Sequence, residues 1–137
     1  MPASCAPRWT RPAASPLPAS APPGIPRGTR LEGEAVRALA AAAGLGYGPA
    51  FHALDHAAID AAAGRAAVAL RRPEAAPPDA GFLLHPARLD GALQGLVGLL
   101  AGHPAEPGTG LVPVRVARLV CRRDAGPAAA AEIRLTS

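Results

Sequence analysis

The run His85-Pro86-Ala87-Arg88-Leu89-Asp90-Gly91-Ala92-Leu93-Gln94 decides how this chain is read. Pro86 suits the first turn of a helix, where its missing N–H would have had no intrahelical partner. His85, just before it, stands where such a helix begins. The apolar pattern continues, so a helix is expected over residues 86–100. Two polar residues interrupt it. Asp90 is a carboxylate in an apolar helix, and burying a charge there is costly. Gln94, the chain's only glutamine, follows four residues later on the same helix face, within reach of Asp90. The pair reads either as a working acid with its orienting amide, or as a local structural bond.

The same helix carries two further patterns. Leu89, Leu93, Leu96 and Leu100 recur as a stripe that is expected to be buried. Gly91, Gly95 and Gly98 fall on another face, and each costs about 0.5–1 kcal/mol relative to alanine in a helix. Glycines gathered on one face imply a body packed very close, such as a sheet wrapped around the helix.

Upstream, residues 31–43 are alanine-rich, with Glu32 and Glu34 early and Gly44 as a stop, which reads as a helix. Residues 44–51 (Gly-Leu-Gly-Tyr-Gly-Pro-Ala-Phe) force a tight turn, with Tyr47 and Phe51 available to anchor it. Residues 51–59 and 65–70 read as two strands joined by 61–64, and 71–81 as a proline-rich loop. Downstream, 102–110 reads as a loop. Residues 111–123 read as a long strand, with Val112, Val114 and Val116 alternating with Pro113, Arg115 and Ala117. Pro113 then belongs at an edge or a strand start. A last strand is expected from 130 to 136. Residues 1–30, rich in Pro, Ala, Ser and Arg, read as a disordered tail or linker. The order gives an α+β architecture, one central helix against an antiparallel sheet.

Composition narrows the function. The 137 residues make one domain at most, and the 14 basic residues, all arginine, leave a net charge of only +4 over 10 acids. The arginines are scattered and aromatics are 3%, too few for the stacking platforms of nucleic-acid binders. Arg71, Arg72 and Arg88 read most simply as solvated, with docking of an acidic partner as the other use. Cys5 and Cys121 form no CxxC pair, which points to neither a metal site nor a disulfide framework. No secretory signal and no membrane span are expected, and a reducing cytoplasm is the expected compartment.

The motifs now permit a family resemblance. His85-Pro86…Leu89-Asp90…Gln94 resembles the Asp-containing motif of polyketide synthase dehydratase domains, found also in related fatty acid synthases. Gly46-Tyr47-Gly48-Pro49…Phe51 is similar to that family's second motif, and Leu111-Val112-Pro113-Val114-Arg115 to its third. The three occur in the family's order over residues 31–137. The resemblance implies a double hotdog, each half a curved antiparallel sheet around a long helix. Its first half supplies a catalytic His in a His-x-x-x-Gly-x-x-x-x-Pro motif, and its second half the Asp. None of the four histidines, His52, His56, His85 and His103, has Gly four residues on. Residues 31–137 therefore resemble the C-terminal hotdog half alone.

That resemblance implies loss of water from a 3-hydroxyacyl thioester carried on acyl carrier protein, giving a 2,3-enoyl thioester. A base removes the proton beside the thioester carbonyl and an acid protonates the departing hydroxyl. Asp90 would be the acid, since apolar surroundings favour the proton-bearing form of a carboxyl. Gln94 would orient it. Tyr47, Gly48, Pro49, Phe51, His85 and Pro113 would line the substrate's path. No metal or organic cofactor is implied. The expected partners are acyl carrier protein and an N-terminal hotdog half or other synthase domains. A homodimer, or a non-catalytic scaffold piece of a synthase, remains open. His52, His56 and His103 read as ordinary packing or surface residues.

Overall fold

The computed structural model describes residues 28–101, 115, 117 and 126–136. The elements run β1 (Thr29–Glu32), α1 (Gly33–Ala42), a 3-10 turn (Pro49–Phe51), β2 (Leu54–Asp60), β3 (Arg65–Leu70), α2 (Pro86–Leu100) and β4 (Ala130–Arg134). The strands form one antiparallel sheet in the order β1-β2-β3-β4. Helix α2 lies on it against β2, β3 and β4, with α1 alongside. This is the α+β hotdog arrangement, a sheet around a central helix.

Alternation builds the sheet. In β3, Ala66, Val68 and Leu70 are buried while Arg65, Ala67 and Ala69 face the other way. In β2 the buried residues are Leu54, Ala57 and Ile59, a spacing of three and then two. A register shift between Leu54 and His56 absorbs the extra residue, so both Leu54 and Ala57 face inward. The β2–β3 connection is closed by the Asp60 carboxylate, which accepts from the Ala63 N–H at 3.0 Å, and by Gly64 at φ +62°. The core is Val36 of α1, the inward residues of β2 and β3, and Leu99 of α2.

The glycine face of α2 is what the sheet wraps. A Cβ on Gly91 would meet Ala53, Leu54 and Leu70; on Gly95, Ile133 and Val68; on Gly98, Ile59 and Leu31. All four strands therefore reach this one face, and the glycines are there because no side chain fits. The leucine stripe lies on the other side of the helix. At 3.6 residues per turn, Leu89, Leu93, Leu96 and Leu100 point about 160° away from the glycines. They are not the buried face: Leu89 is 37% exposed, and the other three are only partly buried. The buried residues of α2 are instead Ala87, Arg88, Gly91, Gln94, Gly95, Gly98 and Leu99.

Three boundaries also move. The strand expected from residue 51 starts at Leu54, because Pro49–Phe51 close a 3-10 turn before it. The sheet takes in Thr29 and Arg30, which the sequence reading left in the tail; they pair with Ile59 and Ala58 of β2. Helix α1 starts at Gly33 rather than 31, because residues 31 and 32 belong to β1. Gly33 is fixed by crowding: a Cβ there would collide with the Leu54 carbonyl oxygen, a backbone atom that cannot step aside. Gly33→Ala is expected to cost at least about 1–3 kcal/mol, as overpacking against a rigid neighbour does. Chemical denaturation checks it, and an unchanged midpoint would show that the β1–α1 junction is looser than this.

Three carboxylates on this scaffold sit below their ordinary range. Asp79 is held down chiefly by its hydrogen bonds from Arg88, Glu132 by those from Arg134 and then Arg65, and Asp55 by that with His56. Each folded pKa lies below the unfolded one, so each contributes stability that is present above the unfolded value and lost as pH falls through the folded value. With ordinary values of 3.8 for Asp and 4.5 for Glu, the melting temperature is expected to hold from pH 7 to about 5. It then falls steadily below about 4.5. A melting temperature flat to pH 2.5 would contradict these pairings.

Candidate active site

The site is assembled where the start of α2 meets two loops. His85 is the N-cap residue: its Nδ1 accepts from the Ala87 N–H at 3.1 Å, and Pro86 takes the first helical position. Its Nε2–H donates to the Pro77 carbonyl at 2.9 Å. The residue is 4% exposed, with its ring against Phe82. Both nitrogens are thus committed to backbone, leaving neither to bind substrate or remove a proton. His85 starts the helix and holds the proline-rich loop.

One turn further on stand Asp90 and Gln94. Gln94 is 1% exposed. Its Nε2 donates both to Asp90 Oδ2 at 2.8 Å and to the Phe51 carbonyl at 3.0 Å. The i, i+4 spacing that the sequence offered is therefore used, and the amide also ties the helix to the 3-10 turn. Gln94 Oε1 is buried with no hydrogen-bond partner among the described residues, a feature that typically costs about 1–3 kcal/mol. Asp90 itself is partly exposed, at the mouth of this arrangement.

The turn supplies the other wall. Phe51 N–H donates to the Gly48 carbonyl at 2.9 Å, closing the 3-10 turn that Pro49 begins. His52 Nε2–H donates to the Tyr47 carbonyl at 3.0 Å. The Tyr47 hydroxyl is pushed above its usual range, first by burial and then by the Asp90 carboxylate, which places the two side chains in one electrostatic neighbourhood. Phe51 was read as a side-chain anchor or substrate contact. Its ring is 43% exposed, and it is its carbonyl that serves the site. Gly48 and Pro49 are exposed on the turn. Pro113 and His103 lie outside the described residues, as does most of the strand expected over 111–123.

Arg88 was read as solvated and is not. It is 8% exposed. Its Nε and Nη2 donate to the two Asp79 oxygens at 2.7 and 3.0 Å, and its Nη1 to the Ala128 carbonyl at 2.8 Å. The signal was available: Arg88 precedes Gly91 by three, which puts it on the glycine side of the helix. Among the described residues no three His, Cys, Asp or Glu side chains are grouped to hold a metal ion, and no helix is long and apolar enough to cross a membrane.

Residues 14–137 match the family model described as the polyketide synthase dehydratase N-terminal domain. The chain belongs to this family. A curated relative, the polyketide synthase-like protein Preu9 of Preussia isomera, is 39% identical over 93 residues, which is 64% of this chain and 4% of that protein. The chain thus spans a small part of the relative it matches. Among solved structures, the dehydratase domain from the CurJ module of curacin polyketide synthase superposes with a TM-score of 0.52 at 13% identity, covering 60% of this chain and 28% of that one. That likeness shows the fold. The dehydratase domain of PpsC from Mycobacterium tuberculosis, solved in complex with C12:1-CoA, is 30% identical with a TM-score of 0.45, over 59% of this chain and 33% of that one.

Proposed function

We propose that this member of the dehydratase family is the carboxylate-bearing, C-terminal hotdog half of a polyketide synthase dehydratase, a reading that rests on the Asp90–Gln94 pair and departs from the N-terminal domain that the matching family model describes. In this reading Asp90 protonates the departing hydroxyl of a 3-hydroxyacyl thioester on acyl carrier protein. A base on the N-terminal half takes the proton beside the carbonyl, and water and a 2,3-enoyl thioester result. The observation that carries the reading is the buried Gln94 amide held between Asp90 Oδ2 and the Phe51 carbonyl. Gln94 fixes one carboxyl oxygen and leaves the other, Oδ1, for the substrate, at a site partly open to solvent. Tyr47 and the turn at Gly48 and Pro49 form the adjoining wall. His85 and Arg88 support from behind.

The base is assigned to a partner because no histidine of this chain has the family's Gly four residues on, and His85 has both nitrogens engaged. Leu89, 37% exposed beside Asp90, offers apolar surface against which such a half would pack. Nothing in this chemistry calls for a metal or organic cofactor.

The experiment combines the full chain with a purified N-terminal dehydratase half carrying the His motif. A 3-hydroxyacyl thioester on acyl carrier protein is the substrate, and loss of the mass of water is followed. Activity of the pair with an inert single chain is expected. An inert pair would leave the non-catalytic scaffold reading in its place.

A further inference from the structure

Asp90 stands between two ties that fix α2. Four residues after it, Gln94 binds the helix to the Phe51 carbonyl. Two residues before it, Arg88 binds the first turn to two other segments, the proline-rich loop through Asp79 and the approach to β4 through the Ala128 carbonyl. The loop is pinned a second time nearby, where His85 Nε2–H meets the Pro77 carbonyl, and it is braced from within by Arg72, whose Nη1 donates to the Ala76 carbonyl at 3.0 Å. A small buried cluster of Ala53, Ala76 and Ala87 fills the junction. It is made of alanines, so it supplies little shape to hold the helix end. Gly91, close against Ala53, Leu54 and Leu70, seats the helix on the sheet, and the polar ties fix the first turn that precedes it.

We propose that Arg88 is a positioning residue for Asp90: its planar guanidinium, bridging Asp79 and the Ala128 carbonyl, fixes the first turn of α2 and so the place of the Asp90 carboxyl. The inference rests on the dehydratase reading only for the use made of Asp90; the placement itself is independent of it. Arginine is the residue suited to this task. Its rigid fork engages both oxygens of one carboxylate and still has an N–H for a carbonyl, whereas a lysine ammonium, a point charge on a flexible stem, matches that pattern poorly.

Tyr47 provides a readout that needs no turnover. It is the chain's only tyrosine, and the Asp90 carboxylate contributes to holding its hydroxyl above the usual range. Its ionisation, followed by ultraviolet absorbance in the full chain, therefore reports how close Asp90 stands. Asp90→Asn is expected to lower the Tyr47 midpoint, which sets the scale. Arg88→Met is expected to lower it by at least half as much, and Arg88→Lys by less. Direct loss of the Arg88 charge would raise the midpoint, and lost burial of Tyr47 would lower it with or without Asp90, so the drop counts for the role only where Arg88→Met produces none in an Asp90→Asn background. A folded Arg88→Met chain with the midpoint unchanged or raised overturns the proposal. So does Asp90→Asn with no effect, since Asp90 would then not stand beside Tyr47.

If Arg88→Met does not fold, Asp79→Asn carries the test, because it keeps the arginine and its bond to Ala128. Loss of the Asp79 charge lowers the midpoint by itself, so a drop larger in the native chain than in the Asp90→Asn background supports the role, and equal drops in the two backgrounds, or none, overturn it. In the paired dehydration assay the same variants should lower kcat about tenfold or more, with KM within about twofold, as a misplaced catalytic group does. Should the pair prove inert while the Tyr47 midpoint moves as expected, the dehydratase reading falls and the positioning role of Arg88 stands.

Discussion

Asp90→Asn is expected to abolish dehydration by the paired halves, lowering kcat by about 10²–10⁴, the range for removing a general acid or base. The substitution keeps the size and shape of the side chain and one carbonyl-type oxygen. That oxygen can still accept from Gln94 Nε2, which donates to Asp90 Oδ2 at 2.8 Å in the native chain. The fold and the tie to Phe51 should therefore survive, and the melting temperature should change little. What is lost is an acidic proton: an amide N–H cannot be transferred to a departing hydroxyl. Gln94→Leu gives the complementary result. It keeps the acid but removes the amide from a position that is 1% exposed, leaving the Phe51 carbonyl without its donor. That variant should lose stability as well as kcat. A paired Asp90→Asn chain that kept a tenth or more of native kcat would remove Asp90 from the acid role.

The sequence allowed much of this to be read, for reasons that can be stated. Helix α2 and strand β3 follow from period, since the runs 86–100 and 65–70 carry their own pattern, whereas a register shift breaks the alternation of β2. Asp90 and Gln94 could be paired because i, i+4 contacts are local. Strand β1 could not be found that way. It has four residues, Thr29–Glu32, beside a proline-rich stretch, and what makes it a strand is pairing with β2 far along the chain. The Arg88–Asp79 pair joins a helix to a loop whose path has no period, so only the arginine's side of the helix could have been foreseen. The Phe51 contribution is a backbone carbonyl, and side-chain chemistry does not announce it.

The two faces of α2 show the deeper limit of pattern reading. Apolarity ranks leucine above glycine, so a leucine stripe reads as core. Yet the tightest contact in this fold requires the absence of a side chain, and the buried helix face is the one with least to bury. Substitution should make this plain. A Cβ on Gly95 would stand 2.5 Å from Ile133 Cδ1 and 2.7 Å from Val68 Cγ1. Gly95→Ala gains about 0.5–1 kcal/mol of helix propensity against about 1–3 kcal/mol of overpacking, for a net loss of up to about 2.5 kcal/mol. Gly95→Leu asks the space between α2, β3 and β4 to hold four more carbons. Its cost should approach the whole stability of a small domain, about 5–15 kcal/mol, and leave no cooperative unfolding transition. Leu89→Gln, on the opposite side and 37% exposed, should change stability by only about 0.5–1 kcal/mol. Denaturant unfolding of the three variants decides the matter. A Leu89→Gln loss equal to that of Gly95→Ala would return the leucines to the core, and a folded Gly95→Leu chain would show that the sheet does not close on the helix as tightly as these distances require.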